Sequence, residues 1–309
     1  MPTPTELLWL IVLPAAAVLV VRFAASRVGT RGPVAGSVSG ASGAADALLA
    51  VGIVAGFGLA AWFGEPALRP SLPLAPSDSS FLWVVWFAPA GLVLGLLDGR
   101  LPVVARWGLR LAVGAGAAWL ILEPVAARLT ELEIALRVGA SAVLSAALWA
   151  ALADPRDPGR RHATAVATIV ALAAGGLVYV HVGHVARMGQ TAAILSAVVG
   201  AAAAPVPPTR PFHLPRVVAG ALALVIVPLS LSGFVYLNSE SPWHTEILWP
   251  VATAVLVPAA PLAGLLVPPR WPRLVTAALA ALLALAVVAG GAIAGGILTP
   301  TPAQNQYGY

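Results

Sequence analysis

Residues 80–122 read SFLWVVWFAPAGLVLGLLDGRLPVVARWGLRLAVGAGAAWLIL. Two apolar runs, 80–97 and 102–122, sit almost end to end. Each is long enough to cross a hydrocarbon core of about 30 Å at about 1.5 Å per residue. Arg100 lies in the break and Arg106 one turn beyond it, the placement expected where a chain turns at a membrane surface. Pro102 opens the second run, and proline is well suited to the first turn of a helix. This stretch therefore predicts a helical hairpin with lipid, not water, around it.

The same pattern extends in both directions. Apolar stretches of comparable length fall near 6–25, 45–64, 80–97, 102–122, 134–153, 163–183, 190–206, 216–237, 246–267 and 273–297. The whole chain of 309 residues is 60% apolar and 9% charged, with a mean hydropathy of +0.92. Soluble domains carry about 25% charged residues, and a water-soluble fold could not hide this much apolar surface. The expected fold is all-α: a polytopic integral membrane bundle of about ten transmembrane helices forming a single domain over 1–309. Residues 299–309 form a short polar tail.

Arginine placement sets the expected threading. With the N-terminus outside, Arg22, Arg27, Arg31, Arg100, Arg106, Arg156, Arg160, Arg161, Arg210, Arg216, Arg270 and Arg273 fall in inner loops. Only Arg69, Arg128 and Arg187 fall in outer ones, so the positive-inside rule favours both termini outside. Glu6 precedes the first apolar run and the arginines follow it, the reverse of a cleaved signal peptide. Tryptophans prefer the headgroup level. Trp107, Trp149 and Trp271 lie near inner ends on this threading; Trp9, Trp62, Trp83, Trp86, Trp119, Trp243 and Trp249 lie near outer ends.

Composition also excludes function classes. The chain has no cysteine, which removes disulfides, thiolate catalysis and cysteine-ligated metal. Net charge is +5, but the arginines are dispersed between apolar runs rather than gathered into a basic stripe, so no nucleic-acid partner is expected. All 17 basic residues are arginine. With the heavy Ala and Gly usage, this points to a high-GC bacterial source and a plasma-membrane location. No phosphate loop, HExxH, GxSxG or dinucleotide fingerprint is present. No loop is long enough for a separate soluble domain.

Ten spans divide into two halves, near 1–153 and 163–297. Five spans per half would make them inverted copies, a transporter arrangement. One pairing supports it: Pro89 in the third stretch and Pro228 in the eighth are both central. A proline inside a membrane helix frees a carbonyl that can line a cavity. Pro89 and Pro228, with Ser230 and Ser232 beyond the latter, are the candidate substrate-binding residues. For the two serines, the competing reading is a packed kink whose hydroxyls bond back to their own helix. Ser141 and Ser145 read as helix-to-helix contacts.

A second candidate lies at the outer face, where His181 and His184 stand three residues apart and His244 and Glu246 follow a later span. Imidazole and carboxylate suit a divalent metal such as zinc, against which Arg187 nearby would repel a cation. Otherwise no cofactor is expected. Mid-depth ionisable residues, the usual marker of ion pathways, are missing. Arg110 is expected to snorkel inward, Arg137 to pair with Glu133, and Asp46 to cap the second span. Gly52 with Gly56, Gly91 with Gly95 and Gly291 with Gly295 are small-xxx-small pairs that permit close helix approach. These features favour a permease for a small neutral or apolar solute. The alternatives are a non-catalytic structural or scaffold subunit, with a membrane-protein partner or a second copy, and a membrane enzyme or metal site on the outer face.

Overall fold

In a computed structural model of the chain, residues 4–30, 46–58, 82–153, 157–181, 186–204, 214–238, 255–268 and 270–296 are described. Among these the secondary structure is helical throughout. In chain order the helices are α1 (Pro4–Thr30), α2 (Asp46–Gly58), α3 (Leu82–Asp98), α4 (Val103–Leu122), α5 (Glu131–Ala153), α6 (Pro158–His181), α7 (Ala186–Ala203), α8 (Val218–Asn238), α9 (Val255–Leu266) and α10 (Arg273–Gly296). A helix lies under each of the ten apolar stretches. Among the described residues, four helical stretches are long and apolar enough to cross a membrane: Val103–Ala127, Glu131–Ala153, Gly159–Val178 and Arg273–Ile293.

Local sequence explains the helix starts. Pro102 precedes α4 in an extended conformation, and its carbonyl accepts the Arg106 amide at 2.9 Å. Pro215 and Pro272 do the same work before α8 and α10, accepting from Val218 at 3.0 Å and Thr276 at 2.9 Å. Helix α5 opens with a reciprocal capping box. The Glu133 carboxylate accepts the Thr130 amide at 2.8 Å, while Thr130 Oγ1 accepts the Glu133 amide at 3.3 Å. Arg137 joins this end at 3.8 Å from Glu133, the expected i,i+4 pair. Asp157 caps α6, its Oδ1 accepting the Gly159 amide at 2.8 Å. Helix α9 tightens into a 3-10 turn over Ala260–Leu266, where Pro261 interrupts α-helical bonding.

Helix α8 is the centre of the molecule. Every residue from Val218 to Ser232 is buried, the signature of a helix apolar all round. It packs against α3, α4, α5 and α7. The two candidate halves thus interlock, with α1 against α7 as a further contact between them. On the second side, α6 is flanked by α7, α9 and α10.

The α3–α8 crossing depends on missing side chains. A Cβ on Gly91 would sit 2.6 Å from the Ala221 Cα, and one on Gly95 would meet the Val217 carbonyl. Residues 91 and 95 therefore face 221 and 217, an antiparallel register. Gly52 and Gly56 likewise face Val21 and Val18 of α1. Outward-facing residues are large and apolar, including Leu132, Leu136 and Val143 on α5 and Leu274, Leu282 and Ile293 on α10. A soluble protein does not expose so much contiguous apolar surface, and the pattern fits a lipid-covered bundle.

Candidate functional site

The chemistry of the described residues concentrates where α3 turns into α4. Helix α3 ends at Asp98, and a short turn follows, with the Arg100 amide on the Leu97 carbonyl at 2.9 Å. Twelve residues separate Asp98 from Arg110, enough to turn the chain and run two helical turns back up α4. Arg110 then meets the carboxylate side-on: Nε donates to Oδ1 at 2.8 Å and a terminal nitrogen to Oδ2 at 2.7 Å. This is the two-pronged geometry that makes arginine–carboxylate pairs strong and directional. Both side chains are only 5% exposed.

Three further groups complete the arrangement. Arg106 donates Nε to the Asp98 carbonyl at 3.0 Å and a terminal nitrogen to the Leu101 carbonyl at 3.0 Å. That places positive charge at the negative end of the α3 dipole. The Arg110 guanidinium lies over two indole rings, Trp107 at 5.6 Å and Trp149 at 5.8 Å. Two cation–π contacts offset part of its lost hydration. Trp107 is 42% exposed, whereas Trp149 on α5 is fully buried. Trp149, expected at a headgroup level, turns its ring into the bundle. It does so because Gly220 of α8 leaves room: a Cβ there would sit 2.6 Å from the ring.

The Asp98–Arg110 pair thus ties α3 to α4, and through Trp149 to α5 and α8. Sequence reading missed Asp98 and took Arg110 for a snorkelling side chain. A partial signal was present. An acid in the last turn of a helix opposes the helix dipole, so Asp98 at the end of α3 required a cation, and Arg100, Arg106 and Arg110 all follow it closely.

Other arginines from the expected inner loops seal helix ends in the same way. Arg216 Nε donates to the Ala153 carbonyl at the end of α5, at 2.9 Å. Arg22 Nε donates to the Ala204 carbonyl after α7, at 3.3 Å. His162, which carried no assignment, is buried and lies 3.3 Å from the Arg273 carbonyl through Nε2.

The sequence-derived candidates fare as follows. Pro89 on α3 and Pro228 on α8 lie on helices that pack together, Pro89 half-buried and Pro228 buried. Ser230 and Ser232 are buried, and their hydroxyls donate to the Ile226 and Pro228 carbonyls of their own helix at 3.0 and 2.8 Å. The metal candidates lie elsewhere: His181 is the last residue of α6 and its side chain is outside the described set, as are His184, His244 and Glu246. Among the described residues no three His, Cys, Asp or Glu side chains come together as metal ligands would. Comparison with family models, with curated proteins and with solved structures finds no match to this chain.

Proposed function

We propose that this protein crosses the membrane ten times and serves as a permease for a small neutral or apolar solute, with its arginine-rich end in the cytoplasm of a bacterial cell and both termini outside. The observation that carries the reading is the central helix α8. It is buried over Val218–Ser232, it holds an internal proline, and it faces α3, which holds another. Proline deprives the carbonyl four residues earlier of its usual donor, here Val85 on α3 and Leu224 on α8. Irregular backbone at this depth is tolerated where it is buried in protein or lines a cavity. Pro89 and Pro228 are then the points about which α3 and α8 bend to admit a solute.

Sidedness is supported by side-chain contacts rather than by hydropathy alone. Arg22, Arg106 and Arg216, from three different expected inner loops, each seal the C-terminal end of a helix that would finish on that side. The function is tested by reconstituting the protein in liposomes and following osmotic volume changes by stopped-flow light scattering with glycerol and urea. Permeation faster than in protein-free liposomes, slowed in the Pro228→Ala variant, is the expected result. Rates equal to protein-free liposomes for every neutral solute tried would remove the permease reading.

A second reading has one observation in its favour. The Ser230 and Ser232 hydroxyls are spent within α8, as in a bundle built only to pack. Such a protein would be a structural subunit, and a stoichiometric membrane partner retained through purification in mild detergent would support it.

A further inference from the structure

Two buried polar groups on α5 have no hydrogen-bond partner among the described residues: Ser145 Oγ and Trp149 Nε1. Both residues are 0% exposed. Leaving one such group unsatisfied costs roughly 1–3 kcal/mol, and proteins seldom tolerate it without a bound water or ligand. These two are four residues apart on one helix, so they share a face and their Cβ atoms are about 5–6 Å apart. One small molecule lodged on that face, with hydrogen bonds of about 2.8–3.0 Å, would satisfy both groups.

The surroundings are specific to this spot. Gly114 of α4 faces Ser145, where a Cβ would come within 2.9 Å of the serine Cβ. Gly220 of α8 faces the Trp149 ring. The same ring meets the Arg110 guanidinium, itself held by Asp98. Polar groups therefore run in sequence from the α3–α4 turn into the bundle: Asp98, Arg110, Trp149, Ser145, with Ser141 one turn further along α5. Ser145 lies eight residues before the end of α5, about 12 Å in from it.

We infer that Ser145 and Trp149 form a buried seat for one small neutral molecule that accepts a hydrogen bond from the indole N–H and shares a second with the serine hydroxyl. Indole nitrogen can only donate, whereas a hydroxyl both donates and accepts, so the occupant must carry an acceptor, and a donor is compatible with the serine but not required. A bare cation is excluded by the indole N–H and by Arg110 at the ring. A water molecule and a polar solute of similar size, such as a small amide or alcohol, share this chemistry. The inference deepens the permease reading by naming the class of solute, but the seat stands on its own geometry.

The test uses full-length protein in detergent micelles with 15N-labelled tryptophan side chains, the Trp149 signal being assigned with Trp149→Phe. The expected result is a Trp149 N–H resonance in the hydrogen-bonded range, with exchange to bulk water and a shift in Ser145→Ala. If phenylalanine at 149 disturbs folding, Ser145→Ala alone still moves one indole signal of the ten and identifies it. A resonance at the unbonded position, without contact to water and unmoved by Ser145→Ala, would overturn the seat. Titration with urea separates the occupants: a saturable shift of this one signal assigns a polar solute, and its constancy beside a water contact assigns water. The liposome assay is read separately. Urea flux slowed several-fold in Ser145→Val joins the seat to permeation. An occupied seat without any flux refutes the permease reading alone, and flux with an unbonded Trp149 refutes the seat alone.

Discussion

Asp98 stands at the end of a helix that least tolerates an acid, and it is buried. Its carboxylate is held there by Arg110 and by the proximity of Arg106, 3.9 Å away. Removing one member of a buried ion pair strands the other, at a cost of roughly 3–5 kcal/mol. Asp98→Asn is therefore expected to lower the melting temperature in detergent strongly. Arg110→Lys is expected to lower it too, because a lysine retains charge but loses the two-pronged contact and the stacking on Trp107 and Trp149. The double variant Asp98→Asn/Arg110→Gln is expected to be more stable than Asp98→Asn alone, since it leaves no unpaired charge. Scanning fluorimetry of purified protein measures all three; a double variant no better than the single would mean the pair is not coupled. The arginine was visible in the sequence as an oddity inside an apolar run. Which arginine would pair with Asp98 was not, because pairing across a turn depends on how α3 and α4 splay, which no local pattern encodes.

At the level of elements, sequence was most informative about where helices lie and least about how they end. Each of the ten apolar stretches contains a described helix, over only part of the second and ninth, because apolar length and periodicity are local properties of the chain. The Thr130–Glu133 box was also legible as a motif, though sequence reading took Glu133 only as the partner of Arg137. Thr130→Ala removes one cap and is expected to cost about 1 kcal/mol, again read by melting temperature. Glycines behave differently according to what faces them. Gly91→Leu at the α3–α8 crossing has backbone in its way and is expected to prevent recovery of a monodisperse protein. Gly116→Ala on α4, with nothing within 4 Å of the new carbon, is expected to be neutral or stabilising by up to about 1 kcal/mol. Size-exclusion chromatography beside melting curves distinguishes the two; equal behaviour would argue against the crossing.

Over the whole molecule, the arginine asymmetry and the helix-sealing contacts lead to a threading that chemistry can test directly. The chain has no cysteine, so single cysteines can be introduced against a clean background. A membrane-impermeant maleimide applied to intact cells is expected to label Ser77→Cys, in the loop expected outside. Gly99→Cys, in the α3–α4 turn, is expected to label only after permeabilisation. The reverse pattern would invert the topology, and labelling of both in intact cells would abolish it.

The amino-acid order alone determined the all-helical class of this protein, its membrane-like apolar character and the positions of its helices. Each of these follows from transfer free energy and backbone hydrogen bonding acting within a stretch of some twenty residues. Only the tertiary structure decided that α8 is central, that glycines 91, 95 and 220 let α3 and Trp149 close upon it, and that Asp98, Arg110, Trp149 and Ser145 form one line. Those residues come from four helices, and van der Waals contact and hydrogen bonds between helices exist only once the helices have docked.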